Sequence, residues 1–276
     1  MPELFLLQCR QYGLQDQAQQ IASAEGRRTA KQSGVNARVR NVAGASFAVA
    51  DDKDGFWDKA ESGAWEPETL ASVHALAGPG TLFIDIGGWI GPITLTAAAL
   101  GAEVLAFEPD PRAFELISAN VAANPALAPR IRLHHAAVSP TPGRVRLGSP
   151  KKPGDSMGSI LAADSGVALW EAQAILPAEI AAMAGDAGRI VFKMDVEGAE
   201  YQLLPHLAPL LGPRTAAALI AFHPRLLAKA GRSAAEIEAL TATARSALAD
   251  YTLRNLDCEE QPISRQANST VLATRK

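Results

Sequence analysis

Two carboxylates close successive apolar runs in the chain: Thr81-Leu82-Phe83-Ile84 ends on Asp85, and Glu103-Val104-Leu105-Ala106-Phe107 ends on Glu108. After Asp85 comes Ile86-Gly87-Gly88-Trp89-Ile90-Gly91. Gly87 and Gly88 let the backbone turn tightly and approach a ligand, and Gly91 lets the next helix pack close to its strand. Glu108 follows Asp85 at about 20 residues, the separation at which an acid meets ribose hydroxyls in open parallel sheets. A dinucleotide fingerprint requires glycine at position 86, where Ile86 stands, and a carboxylate at the strand end repels a pyrophosphate. A positively charged ligand is welcome there instead. S-adenosylmethionine carries a sulfonium, an ammonium and a ribose but no phosphate, so the order acid, glycine turn, acid suits it better than a nicotinamide dinucleotide. The alternative is that the glycines serve the turn alone.

A second set of polar residues closes later runs: Arg189 to Met194 ends on Asp195, with Glu197 just beyond, and Thr215 to Phe222 ends on His223. Such groups can take a proton from a hydroxyl. Asp195 is the preferred base, since strand ends sit directly over the sheet. Glu197 either points into the same crevice or begins the next helix, where the dipole favours an acid. Lys193 lies on the same side of its strand as Asp195 and is placed to hold a carboxylate ionised. His223, with an ordinary pKa of about 6.5, suits a base near neutrality, a structural histidine being the alternative. Asp195, Glu197 and His223 also have the donor types for a divalent ion; spacing alone does not establish one, and no metal is assigned. His134 and His135 face opposite sides of a strand and cannot share an ion. Trp89 either walls the cofactor site or packs into the local core. Arg225 and Lys229 meet an anionic substrate or solvent, and Lys151-Lys152 reads as exposed loop charge.

The elements that must hold these groups are legible from about residue 80 onward. Strands are expected at Thr81–Asp85, Glu103–Phe107, Ile131–His135, Arg189–Met194, Thr215–Phe222, Tyr251–Leu256 and Asn268–Thr274. Helices are expected at Thr94–Leu100, Pro111–Ala123, from Glu197 onward and, after a loop following His223, at Ser233–Ala249. This alternation is the signature of a parallel sheet with helices on both faces, and ligands bind such sheets beyond the carboxyl ends of the strands. Pro140 to Ser159, rich in Pro, Gly and Ser, interrupts the pattern as a long loop that covers the active face. Upstream, Leu14–Glu25 reads as a helix ended by Gly26. Residues Ala37–Val42 and Ser46–Ala50 read as a β-hairpin, Asp51–Gly55 as a solvated turn, and Trp65-Glu66-Pro67-Glu68-Thr69 as a helix start with Pro in its first turn.

Composition narrows the class. The chain has 276 residues, 48% of them hydrophobic and 20% charged, enough for a packed core. A formal net charge of −3 argues against a nucleic-acid binder, which carries a basic excess. Cys9 and Cys258 are far apart and frame neither a disulfide nor a Cys-based zinc site. The first residues lack the basic and apolar regions of a secretory signal, and no apolar run reaches the about 18 residues of a membrane span. The expectation is a soluble cytoplasmic protein with no nucleic-acid or membrane partner, open to homo-oligomerisation.

Taken in order, Phe83-Ile84-Asp85-Ile86-Gly87-Gly88-Trp89-Ile90-Gly91, Ala106-Phe107-Glu108-Pro109-Asp110-Pro111 and Lys193-Met194-Asp195-Val196-Glu197-Gly198-Ala199-Glu200 resemble the FkbM family of S-adenosylmethionine-dependent methyltransferases, and Trp65-Glu66-Pro67-Glu68-Thr69 is similar to that family's lead-in. The resemblance covers roughly residues 60 to 225. It implies an α/β class I methyltransferase, Rossmann-like fold: a mostly parallel seven-stranded sheet with its last strand antiparallel, spanning residues 76–276 behind an N-terminal helix and hairpin extension over 1–75. It implies O-methylation of a small hydroxyl-bearing acceptor, such as a sugar or secondary metabolite. The implied cofactor set is Glu66, Asp85, Gly87, Gly88, Trp89, Gly91, Glu108, Pro109, His135, Ala136 and Asp195. Asp85, Gly87 and Gly91 surround the methionine part, Glu108 holds the ribose hydroxyls, and His135 and Ala136 lie near the adenine. The catalytic set is Asp195, His223, Glu197 and Lys193. Ile220-Ala221-Phe222-His223-Pro224 lacks the acid that many members carry before the His-Pro, and Leu169 to Met183 follows the family pattern only loosely. A nicotinamide-dependent oxidoreductase and a cofactor-binding scaffold without chemistry stand as the competing readings.

Overall fold

Seven strands carry the site: β3 (Thr81–Ile86), β4 (Glu103–Phe107), β5 (Ile131–His134), β9 (Arg189–Met194), β10 (Thr215–Phe222), β11 (Tyr251–Asn255) and β12 (Ser269–Arg275). In the computed structural model, which describes residues 37–50, 55–163, 168–258 and 262–276, they form one sheet in the order β11-β12-β10-β9-β3-β4-β5. The β10, β9, β3, β4 and β5 neighbours pair in parallel, and β12 runs antiparallel to both β10 and β11. This is the seven-stranded, mostly parallel sheet with an antiparallel last strand that the sequence led us to expect. The expected Leu14–Glu25 helix, Cys9 and residues Asp51 to Asp54 lie outside the described residues.

Strands buried on both faces need continuous apolar runs, and every residue of β3 is buried. Its side chains divide between two cores. Leu82, Ile84 and Ile86 pack with Ile180, Tyr201 and Ile237 on one face. Phe83 packs with Leu95, Ile117 and Val121 on the other. The helices supplying the first face are α5 (Pro177–Met183), α6 (Glu200–Leu203) and α8 (Ala234–Ala247); those supplying the second are α3 (Pro92–Ala99) and α4 (Pro111–Ala122). Local chemistry sets their starts. Pro occupies the first turn of α3 and α4, Asp110 caps α4 by accepting from the Arg112 and Ala113 amides, and Ser233 with Glu236 forms a capping box on α8.

The hairpin forms as expected from β1 (Arg38–Val42) and β2 (Ala45–Val49) in antiparallel register. It shares the second core through Val42, Phe47 and Val49. Asn124 clamps it, donating to and accepting from the Ala48 backbone at 2.7 Å each way. Two short helices follow, α1 (Phe56–Glu61) and α2 (Pro67–Leu76), the second beginning where the Trp65–Thr69 signal placed it.

Three expectations need correction. Pro140–Ser159 is not wholly loop: Arg144–Ser149 forms β7, which pairs antiparallel with β8 (Ala168–Ile175), itself parallel to β6 (Ala136–Val138). The burial of β7 runs exposed to buried along its length, so its polar residues hid a real strand. The helix after Asp195 begins at Glu200 rather than Glu197, because Glu197 and Gly198 have φ of 52° and 102°, which no helix accommodates. The segment after His223 is a helix, α7 (Pro224–Lys229), with Pro224 in its first turn.

Candidate functional site

The chain leaves β3 toward β4 and β5 on one side and returns through β9 and β10 on the other. The reversal therefore lies between β3 and β9, the switch point at which open α/β sheets bind ligands. A cavity of about 380 Å³ opens there, lined by the ends of β3, β4, β9 and β10 and by the β6–β8 sheet. Among the described residues, four non-glycine residues adopt positive φ, and three of them, Glu66, Trp89 and Glu197, line this cavity. Backbone strain is thus concentrated at the site, where a stable fold would otherwise avoid it.

One half of the cavity centres on the turn after β3. Asp85 is 1% exposed. Its Oδ2 accepts from the Thr94 hydroxyl at 2.6 Å, while its Oδ1 has no hydrogen-bond partner. Burial pushes the Asp85 carboxyl up to about 6, with Lys193 and the Thr94 bond pulling the other way. Gly87 is required by contact as well as conformation: its φ is 88°, and a Cβ there would lie 2.0 Å from the Asp195 carbonyl oxygen. The Gly87 and Gly88 amides both donate to the Phe107 carbonyl, tying the turn to the end of β4. Glu108 accepts from the Trp89 amide and the Asp110 amide, each at 2.7 Å. Burial pushes its carboxyl up to about 8 despite these bonds. Trp89 lines the cavity and packs edge-on against Phe56 at 4.6 Å between centroids.

A latch covers this half. The Trp89 indole donates to the Gly154 carbonyl at 3.1 Å, and the Gly154 amide donates to Asp110 Oδ2 at 2.7 Å. The 150–158 loop therefore lies over the turn, with Asp155, Ser156 and Gly158 on the cavity wall.

The other half holds the proton-handling candidates. Lys193 is 4% exposed and donates to Asp195 Oδ2 at 2.9 Å. Burial lowers the Lys193 pKa, but Asp195, Glu66 and Asp85 outweigh it and leave the ammonium firmly charged. Burial raises the Asp195 pKa in turn, and Lys193 with His223 more than reverses that, so Asp195 is held ionised. Asp195 Oδ1 is sequestered from solvent and unpartnered. His223 Nδ1 lies 2.8 Å from Glu200 Oε1, and its Nε2 faces Asp195 Oδ1 at 3.8 Å and Glu197 Oε2 at 3.7 Å. Burial pulls the imidazole pKa down, yet the bond and charge of Glu200, with Asp195 and Glu197, push it up to about 10. The surrounding carboxylates thus favour the charged imidazolium in the ligand-free site, away from the ordinary value of about 6.5. Burial pushes Glu197 up to about 7, against the pull of His223.

Of the residues expected in the site, Glu66, Asp85, Gly87, Gly88, Trp89, Glu108, Pro109, Ala136, Lys193, Asp195, Glu197 and His223 all line the cavity. Gly91 and His135 do not. Gly91 packs α3 against Ile117, which a Cβ would meet at 2.9 Å, and the His135 ring stacks on Phe114 at 4.7 Å. The His134 ring stacks on Phe107. Glu200 is the main residue that the sequence reading missed. It is fully buried and accepts from the Val196 and Gly198 amides as well as facing His223. It closes the Lys193–Glu200 motif, but no role was read for it there. Asp257, Asn268 and Thr270 form a far wall that no motif announced.

No family model matches the chain, and no curated protein matches it. Among solved structures, the chain is similar to a SAM-dependent methyltransferase from Agrobacterium tumefaciens, with 13% identity over 87% of this chain and 70% of that one and a TM-score of 0.41. It is similar to a precorrin-6y C5,15-methyltransferase from Geobacter metallireducens, with 12% identity over 76% and 87% and a TM-score of 0.41. It is also similar to a TehB-like SAM-dependent methyltransferase from Corynebacterium glutamicum, with 16% identity over 81% and 95% and a TM-score of 0.40. The fold assignment rests on this chain's own strand order rather than on these likenesses. Among the described residues, no helix is long and apolar enough to cross a membrane.

Proposed function

We propose that the protein is an S-adenosylmethionine-dependent O-methyltransferase of FkbM type, acting on a small hydroxyl-bearing acceptor. The observation that carries the reading is the buried Asp85, whose Oδ1 has no hydrogen-bond partner, beside the Gly87-Gly88 turn and a second buried acid, Glu108. A desolvated carboxylate with a vacant lone pair asks for a cation, and the methionyl ammonium of the cofactor meets that need. The turn fits by shape as well, since Gly87 and Gly88 bring backbone rather than side chains to the floor. Glu108 retains lone pairs beyond its two backbone bonds and can accept from both ribose hydroxyls.

When bound, the cofactor supplies an activated methyl on sulfur for in-line transfer to oxygen. The chain's own residues position and desolvate the reactants, an effect worth about 7–11 kcal/mol of barrier when alignment is good. The 150–158 loop, latched through Gly154, excludes water from the donor side. On the acceptor side, Asp195 Oδ1 is the open hydrogen-bond acceptor. Lys193 keeps it ionised, and an acceptor hydroxyl donating to it is turned toward the donor half while its proton passes to Asp195.

Transfer of label from methyl-labelled S-adenosylmethionine to a panel of sugars and polyhydroxylated metabolites tests the assignment. Wild type labels at least one acceptor; Asp195→Asn lowers its turnover about 10²–10⁴-fold and leaves S-adenosylhomocysteine affinity within a few-fold. Labelling unaffected by Asp195→Asn would remove Asp195 from the chemistry, and absence of any labelled acceptor would favour a scaffold.

A further inference from the structure

We infer that Asp195, Glu197 and His223 form a binding site for a divalent cation of the Mg²⁺/Mn²⁺ type. The inference rests on the methyl-transfer reading for its purpose and on separate geometry for its existence. One ligand atom from each residue lies within 4.8 Å of the other two. The separations from His223 Nε2, 3.8 Å to Asp195 Oδ1 and 3.7 Å to Glu197 Oε2, are too long for hydrogen bonds and frame a shared gap. Two neighbouring octahedral donors around such a cation stand about 3 Å apart, so a modest inward rotation of the side chains closes the gap on an ion.

Two of the three donors are also aimed from behind. Glu200, fully buried, holds His223 Nδ1 at 2.8 Å and leaves Nε2 as the outward nitrogen. A carboxylate behind an imidazole is the usual support for a ligating histidine. Lys193 takes Asp195 Oδ2 at 2.9 Å, so the sequestered and unpartnered Oδ1 is the oxygen left to bind. Charge agrees. Asp195 and Glu197 supply negative charge for a divalent cation, and its binding displaces the proton from His223 Nε2. A mixed set of two carboxylates and one imidazole accepts Mn²⁺ readily and leaves positions open for the acceptor.

The chemistry this supplies is Lewis-acid activation. With the cation present, the acceptor hydroxyl oxygen binds it in place of the direct hydrogen bond to Asp195 Oδ1, and its proton passes to solvent water. An O–CH₃ bond then forms as the S–CH₃ bond breaks, leaving the methyl ether and a neutral thioether, with no net oxidation or reduction.

Titration of the chelator-treated full chain with Mn²⁺, followed by electron paramagnetic resonance, tests the site without an acceptor. We expect one Mn²⁺ bound per chain, with affinity lowered at least tenfold in both Glu197→Gln and His223→Gln. No bound Mn²⁺, or binding unchanged in both variants, overturns the inference. Thermal melts establish that each variant is folded; should either fail to fold, competition by Mg²⁺ and Zn²⁺ for the wild-type Mn²⁺ signal decides instead, and a failure of both to displace it overturns a divalent-cation site of this kind. S-adenosylhomocysteine calorimetry on the same samples separates the two readings. Cofactor binding without Mn²⁺ binding removes the cation and keeps the methyltransferase, and the reverse removes the methyltransferase and keeps the cation.

Discussion

Asp85→Asn weakens S-adenosylhomocysteine binding about 100-fold at pH 7.5 while leaving the fold intact. A charge-assisted contact to a buried carboxylate contributes about 1.5–3 kcal/mol, and about 1.4 kcal/mol corresponds to a tenfold change in affinity. The amide can still accept from Thr94, so the turn keeps its internal bond. The sign of the pH dependence gives a second readout. In the ligand-free protein the Asp85 carboxyl is pushed up from its usual value to about 6. Below that pH the group must release a proton before it can meet an ammonium, so wild-type affinity falls about tenfold per unit as pH drops below 6. The Asn variant loses this slope. The stability linkage runs in the opposite direction: a carboxyl with a raised folded-state pKa contributes most when protonated, and stability is lost as pH rises from about 4 through about 6. The variant is therefore no less stable than wild type at pH 7.5, as a thermal melt will show. Unchanged affinity would mean that the cavity holds its ligand elsewhere.

Gly87→Ala carries the largest structural penalty. Its Cβ would stand 2.0 Å from the Asp195 carbonyl oxygen, and that oxygen belongs to backbone that cannot move without disturbing β9, whose next amide donates to Ile86 at 3.0 Å. The positive φ adds its own cost. Together these destabilise the protein by more than about 3 kcal/mol and abolish cofactor binding. Gly63→Ala is the matched control: its φ is 74° but no atom lies within 4 Å of the added Cβ, so only the conformational cost of about 1 kcal/mol remains. Equal melting temperatures for the two variants would show that the β3 and β9 tips are not in the contact described.

The comparison of these glycines indicates how much of the site the sequence could reveal. Gly87 and Gly88 between two strand-end acids were legible because turn geometry and ligand approach constrain residue type locally. So were the central strands β3, β4, β9 and β10, since double-sided burial forces unbroken apolar runs such as Phe83-Ile84 and Val191-Phe192. The β7 strand was not, because its outward arginines and terminal Gly148-Ser149 resemble loop composition. Glu200 was invisible for a different reason. Its importance comes from a contact with His223, which follows β10 some twenty residues on, and no local spacing encodes that meeting. The protonation of His223 was likewise beyond local reading, since three carboxylates from one segment reach an imidazole from another. Conversely, Gly91 was read as letting α3 pack on its strand, and its close neighbour is Ile117 of α4 instead; its assignment beside the cofactor came from family resemblance, and it lies off the cavity wall.

The central claim is that the β3 and β4 tips receive a cationic, phosphate-free nucleoside. Isothermal titration of the full chain with S-adenosylmethionine and, separately, with NADH tests it most directly. Saturable one-to-one binding of S-adenosylmethionine with little or none of NADH is the predicted result; tighter binding of NADH would contradict the account.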